Sequence, residues 1–357
     1  MIEMNTDSRR ADRRVAGFAV AGALFMTLSA CGPGDKKVVA PKGPDPDAWR
    51  KQSLSLEVEG FMFGGGTTPA AAAWAGSGAW IAPNVVVTNA HVALRGLKIT
   101  GKDDLGKKYE FTKILAVNEE ADLALITTDT ATASDSFLPL LDKPADPKSL
   151  RGTNVRVIGN TGDLGLSFYD GRITNVVGED NNPVLLHDAN TAGGSSGGPL
   201  ITKEGKLVGV NHSSLPSLNA KAAAPSWIVK TVVDGSNGHT PLALKDAFNS
   251  ANLPVNWYVE RAVCLKPGEV FKGVFAAVAT NDLVADITPA QTSPMGFVLM
   301  NGNESLAEAV ITGKAQGAWT LHGGGQYVFG VVNPKDAAGP ACATVKFGRI
   351  NWSERFK

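Results

Sequence analysis

The chain has 357 residues, and its 34 lysine and arginine residues balance 34 aspartate and glutamate residues, so the formal net charge is zero. Such a chain offers no basic field for nucleic acid or for an anionic lipid surface, and we expect neither to bind through charge. The sequence contains no zinc-ligand cluster and no phosphate-binding loop, so no metal site is predicted.

Residues 1–30 are predicted to form a signal peptide. Four arginines between positions 9 and 14 precede an apolar run over residues 15–27, which is shorter than the roughly 20 residues that span a bilayer. The sequence Leu-Ser-Ala-Cys at residues 28–31 resembles the bacterial lipobox, in which the cysteine becomes the lipid-modified first residue of the mature chain.

We therefore expect an exported lipoprotein that is anchored to a membrane of the bacterial cell envelope through Cys31. Its location would be the outer membrane or the cell surface. An ordinary signal peptide is the alternative, and the choice between twin-arginine and general export stays open.

The composition predicts three further regions. Residues 31–50 are rich in proline, glycine and lysine and are predicted to be a tether. Residues 51–253 alternate short apolar runs with turns, and helical patterns appear only late in this region. Residues 254–357 consist of runs of about six residues between turns, which is the pattern of a small antiparallel β-sandwich. The fold class predicted for the whole chain is therefore mainly all-β.

Three short motifs point to nucleophilic catalysis. His91 lies in Thr-Asn-Ala-His-Val directly after a predicted hairpin, Asp122 lies in Ala-Asp-Leu-Ala-Leu-Ile, and Ser196 lies in Gly-Ser-Ser-Gly-Gly-Pro. A serine hydroxyl is a poor nucleophile until a histidine accepts its proton, and the histidine in turn needs a carboxylate to orient it. Each motif alone is weak, but together they supply all three groups.

These motifs and their order resemble the trypsin-like serine proteases, above all the bacterial HtrA-type branch. The resemblance covers roughly residues 53–234 and implies a chymotrypsin-like double β-barrel that cleaves proteins or peptides without a cofactor. It also implies that Ser196 is the nucleophile, His91 the general base and Asp122 its orienting carboxylate, with an oxyanion hole formed by the amides of Gly194 and Ser196. We find no PDZ pattern after these motifs.

The same resemblance implies a substrate pocket built from three segments of the chain. Asn190 stands where trypsin has an aspartate, so a preference for a basic P1 residue is not expected. His212 either favours an acidic P1 residue together with Lys221, or only replaces a hydroxyl that relatives place near the catalytic aspartate. The pocket residues are Asn190, Thr191, Asn211, His212, Ser213, Ser214 and Lys221.

The chain has three cysteines, Cys31, Cys264 and Cys342. Lipid modification of Cys31 would leave an even pair, which an exported chain can oxidise, so a Cys264–Cys342 disulfide is predicted; two buried thiols are the alternative.

A second function from another class fits the same sequence. The protein could use the protease fold as an anchored binding lipoprotein without turnover, a pseudoprotease, although the complete set of motifs argues against this. The sandwich is either a module that binds a substrate, an envelope partner or a glycan, or a passive module stabilised by the disulfide.

Overall fold

The computed structural model describes residues 47–66, 68–128, 134–215, 220–249, 253–277, 280–290, 293–322 and 325–356. These residues all belong to one compact unit. The predicted signal peptide, the lipid site at Cys31 and most of the predicted tether lie outside the described residues. No helix in the described part of the chain is long and apolar enough to cross a membrane.

Antiparallel strands make up most of the described chain. In chain order they are β1 (Ser53–Met62), β2 (Ala70–Ala82), β3 (Val85–Thr88), β4 (Gly96–Lys102), β5 (Lys108–Phe111), β6 (Lys113–Asn118), β7 (Leu123–Thr127), β8 (Asn154–Gly159), β9 (Ser167–Val177), β10 (Val184–His187), β11 (Pro199–Thr202), β12 (Leu207–Leu215), β13 (Ala220–Pro225), β14 (Leu242–Ala243), β15 (Val255–Leu265), β16 (Val270–Ala277), β17 (Asn281–Pro289), β18 (Met295–Asn301), β19 (Glu304–Ile311), β20 (Ala315–Leu321), β21 (Gly325–Val332) and β22 (Ala341–Ile350).

Helices are short and connect these strands. The α-helices are α1 (Trp49–Gln52), α2 (Ala90–Ala93), α3 (Ser226–Gly235) and α4 (Leu244–Ala247), and the 3₁₀ helices are Pro147–Leu150, Thr161–Asp163 and Trp352–Phe356.

The strands form four sheets. The first sheet has eight strands in the order β14-β6-β7-β3-β2-β1-β4-β5, and the second is a closed barrel, β10-β13-β12-β11-β8-β9. Two four-stranded sheets follow, β15-β22-β17-β20 and β16-β21-β18-β19. This mainly β architecture confirms the predicted fold class, two barrel-like sheets followed by a small antiparallel sandwich.

Side-chain periodicity explains why these segments form strands. In β1, buried Leu54, Leu56 and Val58 alternate with Glu57 and Glu59, because successive side chains of a strand point to opposite faces. β7 has the sequence Leu-Ala-Leu-Ile-Thr and is buried along its whole length, as expected for a central strand that is covered on both faces.

The four sheets enclose three hydrophobic cores. The core of the closed barrel also includes residues of the first sheet, among them Val87, Leu123 and Leu125. The two four-stranded sheets pack face to face around another core, in which the rings of Phe329 and Phe347 stack. The core of the first sheet is different, because it includes Ala318, Ile350 and Trp352 from the C-terminal region. The sandwich therefore shares a core with the first sheet. The division of the chain at residues 253 and 254 stays a prediction.

A pair of cysteines joins two strands of the sandwich. Cys264 on β15 and Cys342 on β22 lie directly opposite each other, and their sulfurs are at bonding distance.

The first described residues pack against both barrel-like sheets. The ring of Trp49 meets Phe168 edge to face at 5.9 Å and packs against the core of the closed barrel. Arg50 Nε donates to Asp104 Oδ2 at 2.6 Å, next to the first sheet. The folded part of the chain thus includes residues 49 and 50, which lie inside the predicted tether.

This packing predicts where the chain can be shortened. A chain that begins at Asp47 keeps the contacts of Trp49 and Arg50, whereas one that begins at Ser53 loses them. We expect the shorter chain to lose about 1–3 kcal/mol of unfolding free energy, mainly because the contact between Trp49 and Phe168 is lost. Urea unfolding of the two chains measures the difference, and Trp49→Ala in the longer chain should reproduce most of it. Equal urea midpoints for the two chains would contradict this assignment.

Candidate active site

The turn after β3 places His91 beyond the end of a central strand of the first sheet. Asn89 has extended backbone angles, and α2 begins at the next residue. The Nδ1 atom of His91 lies 2.7 Å from Asp122 Oδ2, and the backbone amide of His91 donates to Asp122 Oδ1 at 2.9 Å. The carboxylate thus accepts the Nδ1 proton, which leaves the lone pair of Nε2 available as a base.

Asp122 is held from both its side chain and its main chain. Its φ of 54° lies in the left-handed region, which aspartate visits more readily than most residues. Its carbonyl oxygen accepts from Ala90 N at 3.1 Å and from Asn89 Nδ2 at 2.9 Å. The residues that begin α2 therefore fix the backbone of Asp122, while its carboxylate fixes the imidazole of His91.

Ser196 lies on the loop between β10 and β11. Its hydroxyl donates to the carbonyl oxygen of His212 at 3.3 Å. Among the described residues, this hydroxyl has no hydrogen bond to His91, so it must rotate before it can give up its proton there. Such loose geometry is common in a site without substrate.

Ser77 of β2 ties this loop to the first sheet. Its buried hydroxyl donates to the carbonyl of Gly194 at 2.7 Å and accepts from the amide of Asn160 at 2.8 Å. Its amide donates to the carbonyl of Ser196 at 2.7 Å. One side chain and its own backbone therefore connect the nucleophile loop on the closed barrel to the sheet that carries His91.

Two glycines allow the loop its shape. Gly194 has a φ of +90°, and a Cβ there would lie 2.1 Å from the carbonyl oxygen of Asn160. Gly197 has a φ of +84°, and a Cβ there would lie 2.1 Å from the carbonyl oxygen of Ser77. Both positions require glycine for conformation as well as for space.

The two amides expected to bind an oxyanion lie on this loop. Within the described residues, neither the amide of Gly194 nor that of Ser196 donates to another group, whereas the adjacent Ser195 and Gly197 amides donate to Ala192 and Asn211. An oxyanion hole needs amides that are not consumed by the protein itself.

A buried histidine is linked through Asn211 to the loop that carries Ser196. His187 Nε2 lies 3.1 Å from Asn211 Oδ1, and Asn211 Nδ2 donates to the carbonyl and hydroxyl oxygens of Ser195. Because Nδ2 is the donor in Asn211, its Oδ1 must accept from a protonated Nε2 of His187. Burial lowers the pKa of His187 to about 4, although its hydrogen bond to Asn211 opposes this shift. His187 is therefore neutral at pH 7.

His212 lies next to the catalytic groups as a second imidazole. Its Nδ1 is buried and has no hydrogen-bond partner among the residues that the structure describes. Burial lowers the pKa of His212; the charge of Asp122 opposes this shift, and His91 adds to it. A neutral His212 favours the interpretation in which it replaces a hydroxyl over the one in which it adds positive charge.

The other predicted pocket residues lie around the same loop. Asn190 is exposed, and Thr191 is buried directly before the loop. Lys221 on β13 is paired with Ser214 on one side and with His187 on the other, and Ser213 pairs with Ala222. Asn211 is buried beneath the nucleophile loop. In the part of the chain that the structure describes, no cluster of His, Cys, Asp or Glu is arranged to hold a metal ion.

His91, Asp122 and Ser196 were recognisable from their motifs, but the residues that support them were not. Ser77 and Asn160 belong to ordinary strand and turn sequences, and nothing local to His187 indicates its contact with Asn211. A weak signal was present for Ser77, since a serine between two glycines in a strand indicates a close backbone approach.

Comparison with known proteins fits this geometry. Residues 76–210 match the family model of the trypsin-like peptidase domain. Residues 76–210 form a trypsin-like peptidase domain. The chain is also 32% identical over 173 residues to a probable periplasmic serine endoprotease DegP-like of Rickettsia prowazekii, an alignment that covers 44% of this chain and 33% of the relative.

A second relative extends the similarity. It is the serine protease HtrA-like of Staphylococcus aureus strain RF122, which is 29% identical over 227 residues, with 56% of this chain and 28% of the relative covered. A solved HtrA-type protease with a tripeptide covers 54% of this chain and 62% of that chain at 19% identity, with a TM-score of 0.45. The predicted membership of the trypsin-like, HtrA-type group is confirmed for the peptidase domain. The chain matches about a third of the length of these two relatives.

The neutral state of His187 predicts a pH dependence of stability. The unfolded state takes up a proton near pH 6.5, whereas the folded state does so only near pH 4. Unfolding free energy should therefore fall by up to about 3 kcal/mol as the pH drops from 6.5 to 4. His187→Gln, which keeps a donor for Asn211, should remove that part of the slope in urea unfolding.

His239→Gln, which replaces an exposed imidazole, is the matched control and should keep the wild-type slope. If wild type and His187→Gln show the same slope between pH 6.5 and 4, the assignment of a buried neutral His187 is wrong.

Proposed function

We propose that this protein is a serine endopeptidase that uses His91, Asp122 and Ser196. The observation that carries the proposal is the double contact of the Asp122 carboxylate with the backbone amide and the Nδ1 atom of His91, at 2.9 and 2.7 Å. This contact holds the Nδ1 proton and leaves Nε2 of His91 available as a base. The presence of a trypsin-like peptidase domain supports the same reaction.

The proposed reaction proceeds through an acyl-enzyme. The Ser196 hydroxyl turns from the carbonyl of His212, transfers its proton to Nε2 of His91, and its oxygen bonds to the carbonyl carbon of the scissile peptide. The negative oxygen that forms is stabilised by the amides of Gly194 and Ser196, and Asp122 stabilises the imidazolium. His91 then gives its proton to the leaving amine as the peptide bond breaks. Water next gives a proton to His91 and its oxygen bonds to the acyl carbon, and the bond to Ser196 Oγ breaks as His91 returns the proton to that oxygen.

The pocket favours substrates without a basic P1 residue. Asn190 is neutral, and Lys221 lies between Ser214 and His187 on adjacent strands. A lysine there repels a basic side chain, whereas a neutral or acidic one is accepted. We therefore place the substrates among proteins and peptides with a neutral or acidic P1 residue.

The proposed site of action is the cell envelope or the exterior. One relative is described as a probable periplasmic endoprotease, and the lipobox-like sequence at residues 28–31 supports a lipid anchor on Cys31. The anchor would hold the peptidase domain close to proteins at the membrane surface, from which its substrates would come.

A fluorophosphonate probe tests the proposed chemistry. It should label wild type at Ser196, and Ser196→Ala should abolish labelling and lower kcat for protein substrates by about six orders of magnitude. Ser195→Ala is the matched control, since Ser195 donates to the carbonyl of Ala192, and it should still be labelled. Labelling of Ser195 would show that the assignment of the nucleophile is wrong, and a folded wild type without any label would favour the pseudoprotease.

Mass spectrometry of the mature N-terminus tests the anchor. The mature chain should begin at Cys31 and carry lipid, because the lipobox-like sequence ends at that residue. Cys31→Ala should release the protein from the membrane fraction, while Cys264→Ala, which lacks a role in the anchor, should not. A mature chain that begins elsewhere and carries an unmodified cysteine would contradict the lipid anchor and would favour an ordinary signal peptide.

A further inference from the structure

A buried ion pair joins the peptidase domain to the C-terminal sandwich. Arg95 Nη1 donates to Asp282 Oδ2 at 2.8 Å, and the two side chains are 1% and 0% exposed. Arg95 lies four positions after His91, and Asp282 lies on β17 of the sandwich. Charges buried this deeply are stabilised by pairing and hydrogen bonding. The pair satisfies Nη1 of Arg95, whereas its buried Nε has no hydrogen-bond partner among the described residues.

The sandwich surrounds the Asp282 carboxylate with further donors. Trp352 Nε1 donates to Oδ2 at 2.8 Å, and Thr320 Oγ1 donates to Oδ1 at 2.7 Å. Thr320 also accepts from the amide of Phe63 at 3.0 Å, and its own amide donates to the carbonyl of Phe63 at 2.8 Å. Donors from the sandwich itself therefore fix the Asp282 carboxylate independently of Arg95. The same network holds Phe63, which follows β1.

These contacts hold the helix that carries the base at both of its ends. At the start of α2, Asn89 and Ala90 bind the carbonyl of Asp122. Beyond its end, Arg95 has a φ of 67°, donates through its side chain to Asp282, and accepts at its carbonyl from the amide of Phe61 at 3.2 Å. α2 has only four residues, so its orientation depends on these two anchors more than on its own hydrogen bonds.

The C-terminal region also holds the segment that leads to Asp122. The amide and the hydroxyl of Ser353 both donate to Glu119 Oε2, at 2.9 and 3.2 Å. Glu119 lies three positions before Asp122. The sandwich and the 3₁₀ helix that follows it thus contact the two segments that carry the base and its carboxylate.

We propose that the C-terminal sandwich is part of the catalytic apparatus, and that Asp282 is a positioning residue that sets the orientation of His91 through Arg95. The inference rests on the proposed function for its kinetic consequences. It differs from both earlier interpretations of the sandwich, as a separate binding module and as a passive one. A small displacement of α2 would separate His91 from Ser196, and misplacement of a base by about 1 Å can cost on the order of 100-fold in rate.

The test compares Asp282→Asn with Asp286→Asn in the full chain. Asp286 lies on the same strand, and its side-chain contacts to Gln316, Lys314 and Thr288 stay within the sandwich, so Asp286→Asn should behave as wild type. Asp282→Asn should lower the maximal rate of fluorophosphonate inactivation by about 10–100-fold and leave the probe concentration for half-maximal rate within about twofold. A merely structural role would not separate these two quantities in a folded variant.

Proton NMR supplies a readout that does not need activity. The imidazole proton shared by His91 and Asp122 should give a far-downfield resonance that His91→Ala abolishes and Asp286→Asn keeps. Asp282→Asn should shift or broaden it. If wild type is not labelled by the probe, the proposed function fails, while this resonance still decides whether Asp282 positions His91.

A double variant keeps the test decisive if Asp282→Asn alone does not fold. Arg95→Gln with Asp282→Asn buries no unpaired charge and therefore folds more readily than Asp282→Asn alone. We expect it to show the same loss of inactivation rate and the same change in the resonance. A folded Asp282→Asn or double variant with a wild-type rate and a wild-type resonance would overturn the inference.

Discussion

The contact between Asp122 and the turn that carries His91 is the constraint on which the active site depends. The Asp122 carboxylate accepts from both the backbone amide and the Nδ1 atom of His91, which restricts it to one position. The left-handed backbone of Asp122 places it there. The central strand β3 ends shortly before His91, and its neighbour β7 begins directly after Asp122, so sheet register determines how His91 and Asp122 meet. Ser77, which bridges the two barrel-like sheets, holds the loop that carries Ser196.

The sequence predicted the parts of the site that are local. His91, Asp122 and Ser196 each lie in a short motif whose neighbours have a physical role, such as the glycines that allow positive φ around the nucleophile. The strands of both barrels and of the sandwich were also predictable, because alternation of apolar and polar residues in β1 and buried runs such as β7 depend only on nearby residues.

The features that could not be predicted from the sequence are contacts between residues that are distant along the chain. Arg95 and Asp282 are separated by 187 positions, and Ser77 and Gly194 by 117. An arginine after a short helix and an aspartate in a strand carry no signal that they pair, and both would be expected at the surface. The contact of His187 could not be predicted for a similar reason, since its partner Asn211 lies on another strand of the closed barrel. Long-range pairing of polar groups follows from the packed fold and not from local pattern.

The shared core of the first sheet also has a consequence for the order in which the protein is made. Trp352 fills the space beside Phe61 and Phe248 and donates to Asp282, so the core beside α2 is incomplete until residues from the distant end of the sandwich have been synthesised. A ribosome adds residues in sequence, and a chain that stops after the peptidase motifs lacks those groups. Unfinished chains therefore hold His91 and Arg95 without the contacts of Asp282 and Trp352 that complete this core.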